Sequence, residues 1–148
     1  TGSSIIHKRK AGMTGISKMT VIFVMISMFT ACTESASQKL LGKWSGVDRN
    51  DNRQVFIFHG NDTATWIIAE TGTLKVRYRF DPGSSPFHLD LMGFVGPPLE
   101  DKTLFGIAEF ADPNSLKFDC EAGPSGEDGA DFRPVSFTDD TVVYRRID

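Results

Sequence analysis

The sequence is poor in the residues that carry disulfide frameworks, metal sites and redox chemistry. Its 148 residues include two cysteines, Cys32 and Cys120, and three histidines. A disulfide-stapled scaffold is therefore excluded, because small scaffolds of that class depend on several bridges. His59 and His88, which lie outside the basic N-terminal segment, have no cysteine or histidine at metal-ligand spacing. The sequence predicts surface positions for both and no metal site.

Catalytic and nucleotide-binding fingerprints are also missing. The sequence has no P-loop and no dinucleotide-binding glycine pattern. Gly123–Gly126 is one residue short of the G-x-S-x-G motif of serine hydrolases. The carboxylates of Glu127–Asp128 and of Asp139–Asp140 are sequence neighbours, so their side chains point apart and do not form a glycosidase pair by spacing alone. We therefore expect neither an enzyme nor a bound cofactor.

An Asp- and Asn-rich stretch near residue 50 fits a calcium loop only in part. Asp48, Asn50 and Asn52 have the first ligand spacings of such a loop. Arg53 stands where the loop needs glycine, and His59 stands where the closing glutamate belongs. The stretch is therefore predicted to be a β-turn without a metal ion.

Acidic residues are absent before Cys32 and abundant after it. Four basic residues, Lys8, Arg9, Lys10 and Lys18, precede the apolar run that ends at this cysteine. From Cys32 onward the chain has 12 basic and 19 acidic residues, which gives a net charge of −7. Such a balance argues against nucleic acid as a partner and against electrostatic docking on anionic lipid headgroups.

The longest uncharged stretch is Met19–Ala31, which has 13 residues. It is too short for a transmembrane helix, which needs about 20 apolar residues. A basic flank followed by an apolar body is typical of a secretory leader. Residues 1–31 are therefore predicted to form a cleavable signal helix, with Met13 and Met19 as candidate starts.

The leader ends in Phe29-Thr30-Ala31-Cys32, which resembles the lipobox of bacterial lipoproteins. In that family, the cysteine receives a diacylglyceryl group and becomes the first residue of the mature chain. Phe29 departs from the leucine that is usual there. The resemblance implies a lipid on Cys32, a tether over residues 32–39, and a place on the periplasmic or outer side of a membrane. Cleavage near Ser35–Ser37, which would release the protein, is the alternative.

Beyond Leu40 the sequence has the periodicity of strands. In Leu74–Phe80, four apolar residues alternate with three basic ones, as in a strand with one buried face. Runs of this kind, separated by turns rich in Asp, Asn, Gly and Pro, predict an all-β domain over residues 40–148. We expect a small antiparallel barrel of eight to nine strands. The strands are predicted near residues 41–47, 53–59, 63–69, 73–80, 86–92, 103–110, 115–120, 134–137 and 141–146, and the longest irregular stretches at Gly93–Pro98 and Glu121–Asp131.

Gly42-Lys43-Trp44 opens the first predicted strand. This G-x-W pattern resembles the first signature of lipocalins and related calycin barrels, in which the tryptophan closes one end of the barrel. In that family an arginine of the last strand covers the tryptophan, and Arg145 and Arg146 occupy the matching end here. The resemblance implies a lipocalin-like barrel closed by these residues. Adjacent strand residues face opposite ways, so only one arginine can lie over the indole.

The order of several short motifs resembles a lipocalin-like domain of unknown function in planctomycete-type bacteria. The resemblance extends from Leu40 to Phe137, and it departs at Ala108, where that family often has tyrosine. It implies no activity, because a fold does not fix a function. The matching residues are Gly42, Trp44, Phe56, Phe58, Phe80-Asp81 before Pro86, Leu89, Leu91, Gly106-Ile107, Arg133-Pro134 and Phe137.

Aromatic residues on the predicted strands give two alternatives for the barrel interior. They either line a cavity for a small apolar ligand or fill the core. A hollow barrel indicates a binding module, whereas a filled one indicates a structural or interaction protein of the envelope that uses Gly93–Pro98 and Glu121–Asp131. Cys120 is expected to be a small buried residue in either case. The candidate cavity residues are Phe56, Phe58, Trp66, Tyr78, Phe80 and Phe87.

Overall fold

Alternating apolar and polar residues form eight strands in the computed structural model, which describes residues 34–148. The predicted signal helix and Cys32 lie outside the described residues. Within residues 34–148, one short helix precedes the strands and begins within the expected tether. The elements are α1 Ala36–Leu40, β1 Gly42–Val47, β2 Arg53–Phe58, β3 Thr63–Ile68, β4 Gly72–Asp81, β5 Phe87–Met92, β6 Lys102–Asp112, β7 Ser115–Pro124 and β8 Val142–Ile147.

The eight strands form one closed antiparallel barrel. Each strand pairs with the next along the chain, and β8 pairs with β1 to close the sheet. Closure pairs both edges of every strand, which removes the exposed edges of an open sheet. The predicted small lipocalin-like all-β barrel is thereby confirmed.

Two features of the predicted strand layout differ from the structure. The strand expected at 134–137 does not form, because β8 pairs directly with both β7 and β1. Pro134 has no N–H to donate to a ladder, and the side chain of Val135 is 95% exposed. The second difference lies at Glu121–Pro124, which was expected to be irregular but extends β7.

Inward residues of the barrel form the hydrophobic core. On β2, Phe56 and Phe58 point inward and are nearly inaccessible to solvent. On β4, Val76 and Tyr78 do the same between exposed basic residues. Trp44 of β1 is completely buried. The period of two therefore sorts each strand into an inner apolar face and an outer face, as the sequence predicted.

A second layer covers the outside of β6 and β7. Residues 125–141, here called the outer segment, cross this side of the barrel between β7 and β8. Phe132 of this segment stacks on Phe105 of β6, with ring centroids 5.9 Å apart. Gly129 permits this approach, because a Cβ atom there would lie 2.3 Å from the Phe105 ring. Among residues 34–148, no helix is long and apolar enough to cross a membrane.

Candidate functional site at the barrel mouth

The C-terminal end of α1 is bonded to one end of the barrel, here called the closed end. The indole Nε1 of Trp44 donates a hydrogen bond to the carbonyl of Leu40, at 2.8 Å. The guanidinium of Arg146 lies over the indole, with its carbon 4.3 Å from the ring centroid. It also donates to the carbonyls of Lys39 and Leu41. Two side chains therefore satisfy carbonyls that the end of a helix leaves without partners.

The structure places Arg145 on the outer face of β8, away from Trp44. Its guanidinium contacts Ser115 and lies 3.4 Å from a carboxylate oxygen of Asp112. Gly42 lies beneath the other arginine with a φ of 111°, and a Cβ atom there would come within 3.0 Å of Arg146 Nη1. The left-handed backbone and this close approach explain why glycine opens β1.

Aromatic rings fill the interior between the closed end and Trp66. Phe56 stacks on Trp66 and on Phe58, with centroid distances of 5.0 and 5.3 Å. Tyr78 meets Phe58 edge-on at 5.1 Å. Near the closed end, Phe80 and Phe87 pack edge-on at 5.4 Å. Of the six candidate cavity residues, five pack against other aromatic rings below Trp66, and Trp66 marks the upper limit of this packing.

The end of the barrel opposite the closed end is here called the mouth. Polar groups surround one side of Trp66 there. Oε1 of Gln54 accepts hydrogen bonds from Trp66 Nε1 at 3.2 Å and from the hydroxyl of Tyr144 at 2.8 Å. Nε2 of Gln54 donates to Asp48 at 3.2 Å. Burial raises the pKa of Tyr144 far above its ordinary value, so the hydroxyl remains a donor. These bonds fix the indole across the barrel.

Two cavities open at the mouth, and Trp66 borders both. One, of about 240 Å³, is lined partly by the polar groups around Gln54. The other, of about 270 Å³, has mainly apolar walls and is here called the mouth cleft. The cleft is lined by Trp66, Ile68, Thr71, Leu74 and residues 94–99.

The loop between β5 and β6 forms one wall of the mouth cleft. Phe94 is buried and Leu99 packs against the core, which anchors the loop at two points. Between them, Gly96 has a φ of 83° and accepts a hydrogen bond from Glu100 N at 3.0 Å. Val95 points outward and is 91% exposed. The stretch Gly93–Pro98, predicted to be irregular, therefore supplies most of this wall of the cleft.

Asp90 on β5 forms a buried ionic site that the sequence did not predict. Its side chain is 1% exposed, although it alternates along β5 with the inward residues Leu89 and Leu91. It accepts bonds from Arg79, at 2.7 Å from Nη2, and from Arg133 of the outer segment. It also accepts the N–H of Gly106 at 3.2 Å. Gly106 was the available sequence signal, because glycine inside a strand marks a close backbone approach.

The remaining candidate residues occupy ordinary structural positions. Asp48 accepts the N–H groups of Asn50 and Asn52, chiefly the latter, and this lowers the pKa of its carboxyl. The stretch is thus a turn, as predicted. Cys120 is half-buried against the core, and burial raises the pKa of its thiol to about 12. His59 is exposed, with Nε2 3.1 Å from the Thr65 hydroxyl.

His88 is partly buried, whereas His59 is exposed to solvent. Its ring lies 3.5 Å from the hydroxyl of Ser84, in a shallow hollow beside Asp90 and Arg133. Ser84 donates its own hydrogen bond to Asp81, at 3.1 Å. The serine hydroxyl therefore lies between a carboxylate and an imidazole.

Comparisons with protein-family models, curated proteins and solved structures find no match for this chain. The geometry of the barrel and its mouth is therefore the basis of the functional argument.

Proposed function

We propose that the protein is a lipid-anchored protein of the bacterial cell envelope that binds a small apolar ligand at its barrel mouth. The mouth cleft carries the proposal, because it combines apolar walls with a fixed indole at its base. Small-molecule sites are commonly apolar concavities of this kind, at the mouths of β-barrels among other places.

The filled interior limits the size of this ligand. The aromatic packing beneath Trp66 leaves the cleft, of about 270 Å³, as the room for it. This volume is near the lower limit of typical ligand pockets, which begin at about 300 Å³. The occupant we propose is therefore one ring system or a short branched chain, rather than an extended acyl chain.

The proposed anchor is compatible with an open mouth. The lipobox-like sequence predicts a lipid on Cys32, and the described chain enters the barrel through α1 at the closed end. The mouth lies at the opposite ends of the strands. An anchored barrel would therefore keep its cleft away from the point of attachment.

A titration with the neutral fluorophore N-phenyl-1-naphthylamine tests ligand binding. We expect saturable binding to the mature protein and at least tenfold weaker binding by Ile68→Asp, which adds a charge to the cleft. Val135→Asp is the matched control, because it changes an apolar residue that is 95% exposed on the outer segment. Absence of saturable binding to the unsubstituted protein would contradict the ligand-binding function.

Labelling of cells with a clickable fatty acid tests the anchor separately. Cys32→Ser should lose the label, whereas Cys120→Ser should keep it, because Cys120 is a half-buried barrel residue. A Cys32→Ser protein that still incorporates the label would contradict lipidation at this position.

The filled interior also supports a second function, that of an interaction module. Val95 on the loop between β5 and β6 is 91% exposed and offers an apolar side chain to a partner. Photocrosslinking from position 95 in cells should then give one adduct of defined mass. A protein that gives no adduct and still binds the fluorophore supports the first function instead.

A further inference from the structure

The charged residues of the barrel are divided between its two halves. Residues 40–80 contain six basic and four acidic residues, whereas residues 81–148 contain five basic and 14 acidic ones. The four acids of the first half, Asp48, Asp51, Asp62 and Glu70, lie between strands. The net charge of the whole chain therefore hides a basic region on β1 to β4, and the expectation from net charge against docking on anionic headgroups does not apply to this side of the barrel.

The outward residues of β1 to β3 and of residues 73–77 on β4 form this region, here called the basic face. Inter-strand register makes it continuous, because Lys43 pairs with Ile57, Ile57 with Thr65, and Thr65 with Lys75. The two lysines lie three strand spacings apart, or about 14 Å. The full set is Lys43, Ser45, Val47, Arg53, Val55, Ile57, Thr63, Thr65, Ile67, Thr73, Lys75 and Arg77, with no carboxylate among them.

The cations of the basic face have no acidic partners within the barrel. None of the ion pairs among residues 34–148 includes Lys43, Arg53, Lys75 or Arg77. By contrast, Arg79, just beyond the face, pairs with Asp90. The four cations are all solvent-exposed and remain available to an external anion.

Exposed apolar side chains occur on the same side of the barrel. Val47, which pairs with Arg53, is 50% exposed, and Ile67, on the strand between those of Arg53 and Lys75, is 37% exposed. Val143 and Ile147 continue this pattern on the neighbouring β8, with exposures of 44% and 41%. Cations and aliphatic groups on one surface suit a membrane interface, where headgroups meet the first acyl carbons.

We infer that the basic face rests on an anionic phospholipid surface. This inference depends on the proposed lipid at Cys32, which brings the barrel to such a surface. Three residues separate Cys32 from α1, and they span at most about 10 Å when extended. That reach is comparable to the Debye length at 0.1 M salt, about 10 Å, so the tether lets a barrel lying on its side bring these cations within the range of headgroup charge.

Acetylation of lysines tests this inference in the lipidated chain bound to vesicles. One set of vesicles is phosphatidylcholine alone, and the other contains phosphatidylglycerol in addition. On the anionic vesicles we expect several-fold slower acetylation of Lys43 and Lys75, and an unchanged rate at Lys102 on β6. A salt concentration of 1 M should remove the difference, because the Debye length falls to about 3 Å.

Charge reversal supplies the matched variants. Arg53→Glu with Arg77→Glu reverses two charges of the face and should abolish the slower acetylation. Arg49→Glu removes an arginine of the β1–β2 turn, which pairs with Asp140, and should preserve it. Equal rates on the two vesicle types, or unchanged protection in the double variant, would overturn the inference.

Flotation separates this inference from the anchor. A chain that floats with neutral vesicles carries the lipid, whatever its lysine rates show. A chain that floats only with anionic vesicles lacks the anchor but retains the docking surface. A chain that floats with neither contradicts both the anchor and the docking surface.

Discussion

Arg146 lies over Trp44 with its guanidinium carbon 4.3 Å from the centroid of the indole ring. Both side chains also donate hydrogen bonds to carbonyls at the C-terminal end of α1. The pair thus joins the first strand, the last strand and the preceding helix. Because closure of the barrel depends on β1 meeting β8, this contact is where we expect substitutions to have the clearest effect on stability.

Trp44→Ala should lower the free energy of unfolding by about 3–5 kcal/mol, the cost of removing a large buried ring. A domain of this size has only about 5–15 kcal/mol of net stability. Trp44→Phe retains a ring but loses the bond to Leu40, so we expect an intermediate loss. Urea denaturation of the purified variants measures both values, and a Trp44→Ala protein as stable as the parent would exclude the closing role.

Arg146→Ala and Arg145→Ala should differ, although the residues are neighbours. The first loses a cation–π contact, typically about 0.5–2 kcal/mol, and leaves helix carbonyls without donors. The second removes a side chain that is 67% exposed, so a change within about 0.5 kcal/mol is expected. The same urea series compares them, and equal losses would show that the orientation of the two side chains is wrong.

Asp90→Asn should be among the most destabilising polar substitutions on the outer side of the barrel. It removes the charge that pairs with Arg133, whose side chain is 10% exposed, and the loss of one partner of a buried pair costs about 3–5 kcal/mol. Arg79→Ala is the control, because that side chain is 57% exposed and its loss should cost less than about 1 kcal/mol. Thermal and urea unfolding would reveal the contrast, and comparable losses would contradict it.

Stability should fall at alkaline pH. Burial raises the pKa of Cys120 to about 12 and also raises the pKa values of Tyr78 and Tyr144. The unfolded chain ionises these groups at their ordinary values, near 9 for the thiol and 10 for the phenols. The unfolded state then binds fewer protons than the native state, so stability is full below about pH 9 and declines above it.

Urea midpoints recorded across this pH range measure the decline. Cys120→Ala removes one of the three groups and should make the decline shallower. A profile that stays flat up to about pH 11 would contradict the burial of these groups.

Local patterning determined the strands, because the alternation of side chains depends only on neighbouring residues. The run Leu74–Phe80 is an example. The turn at Asp48 was also predictable, because its hydrogen bonds join residues close together in the chain. The strand predicted at 134–137 is wrong, because apolar residues near Pro134 give the same sequence pattern in a strand and in a segment that covers the barrel. Only the partners available in the closed sheet decide between them.

The sequence by itself determined an all-β domain with inward aromatic residues and with Trp44 near its first strand. Tertiary structure alone decided which arginine covers that indole, that the interior is filled below Trp66, and that Phe94 and Leu99 form a cleft wall. It also decided that Asp90 is buried and that four cations share one face. The physical reason is that strand register and closure bring together residues far apart in the chain, whereas a sequence pattern reports only which face of its own strand each residue occupies.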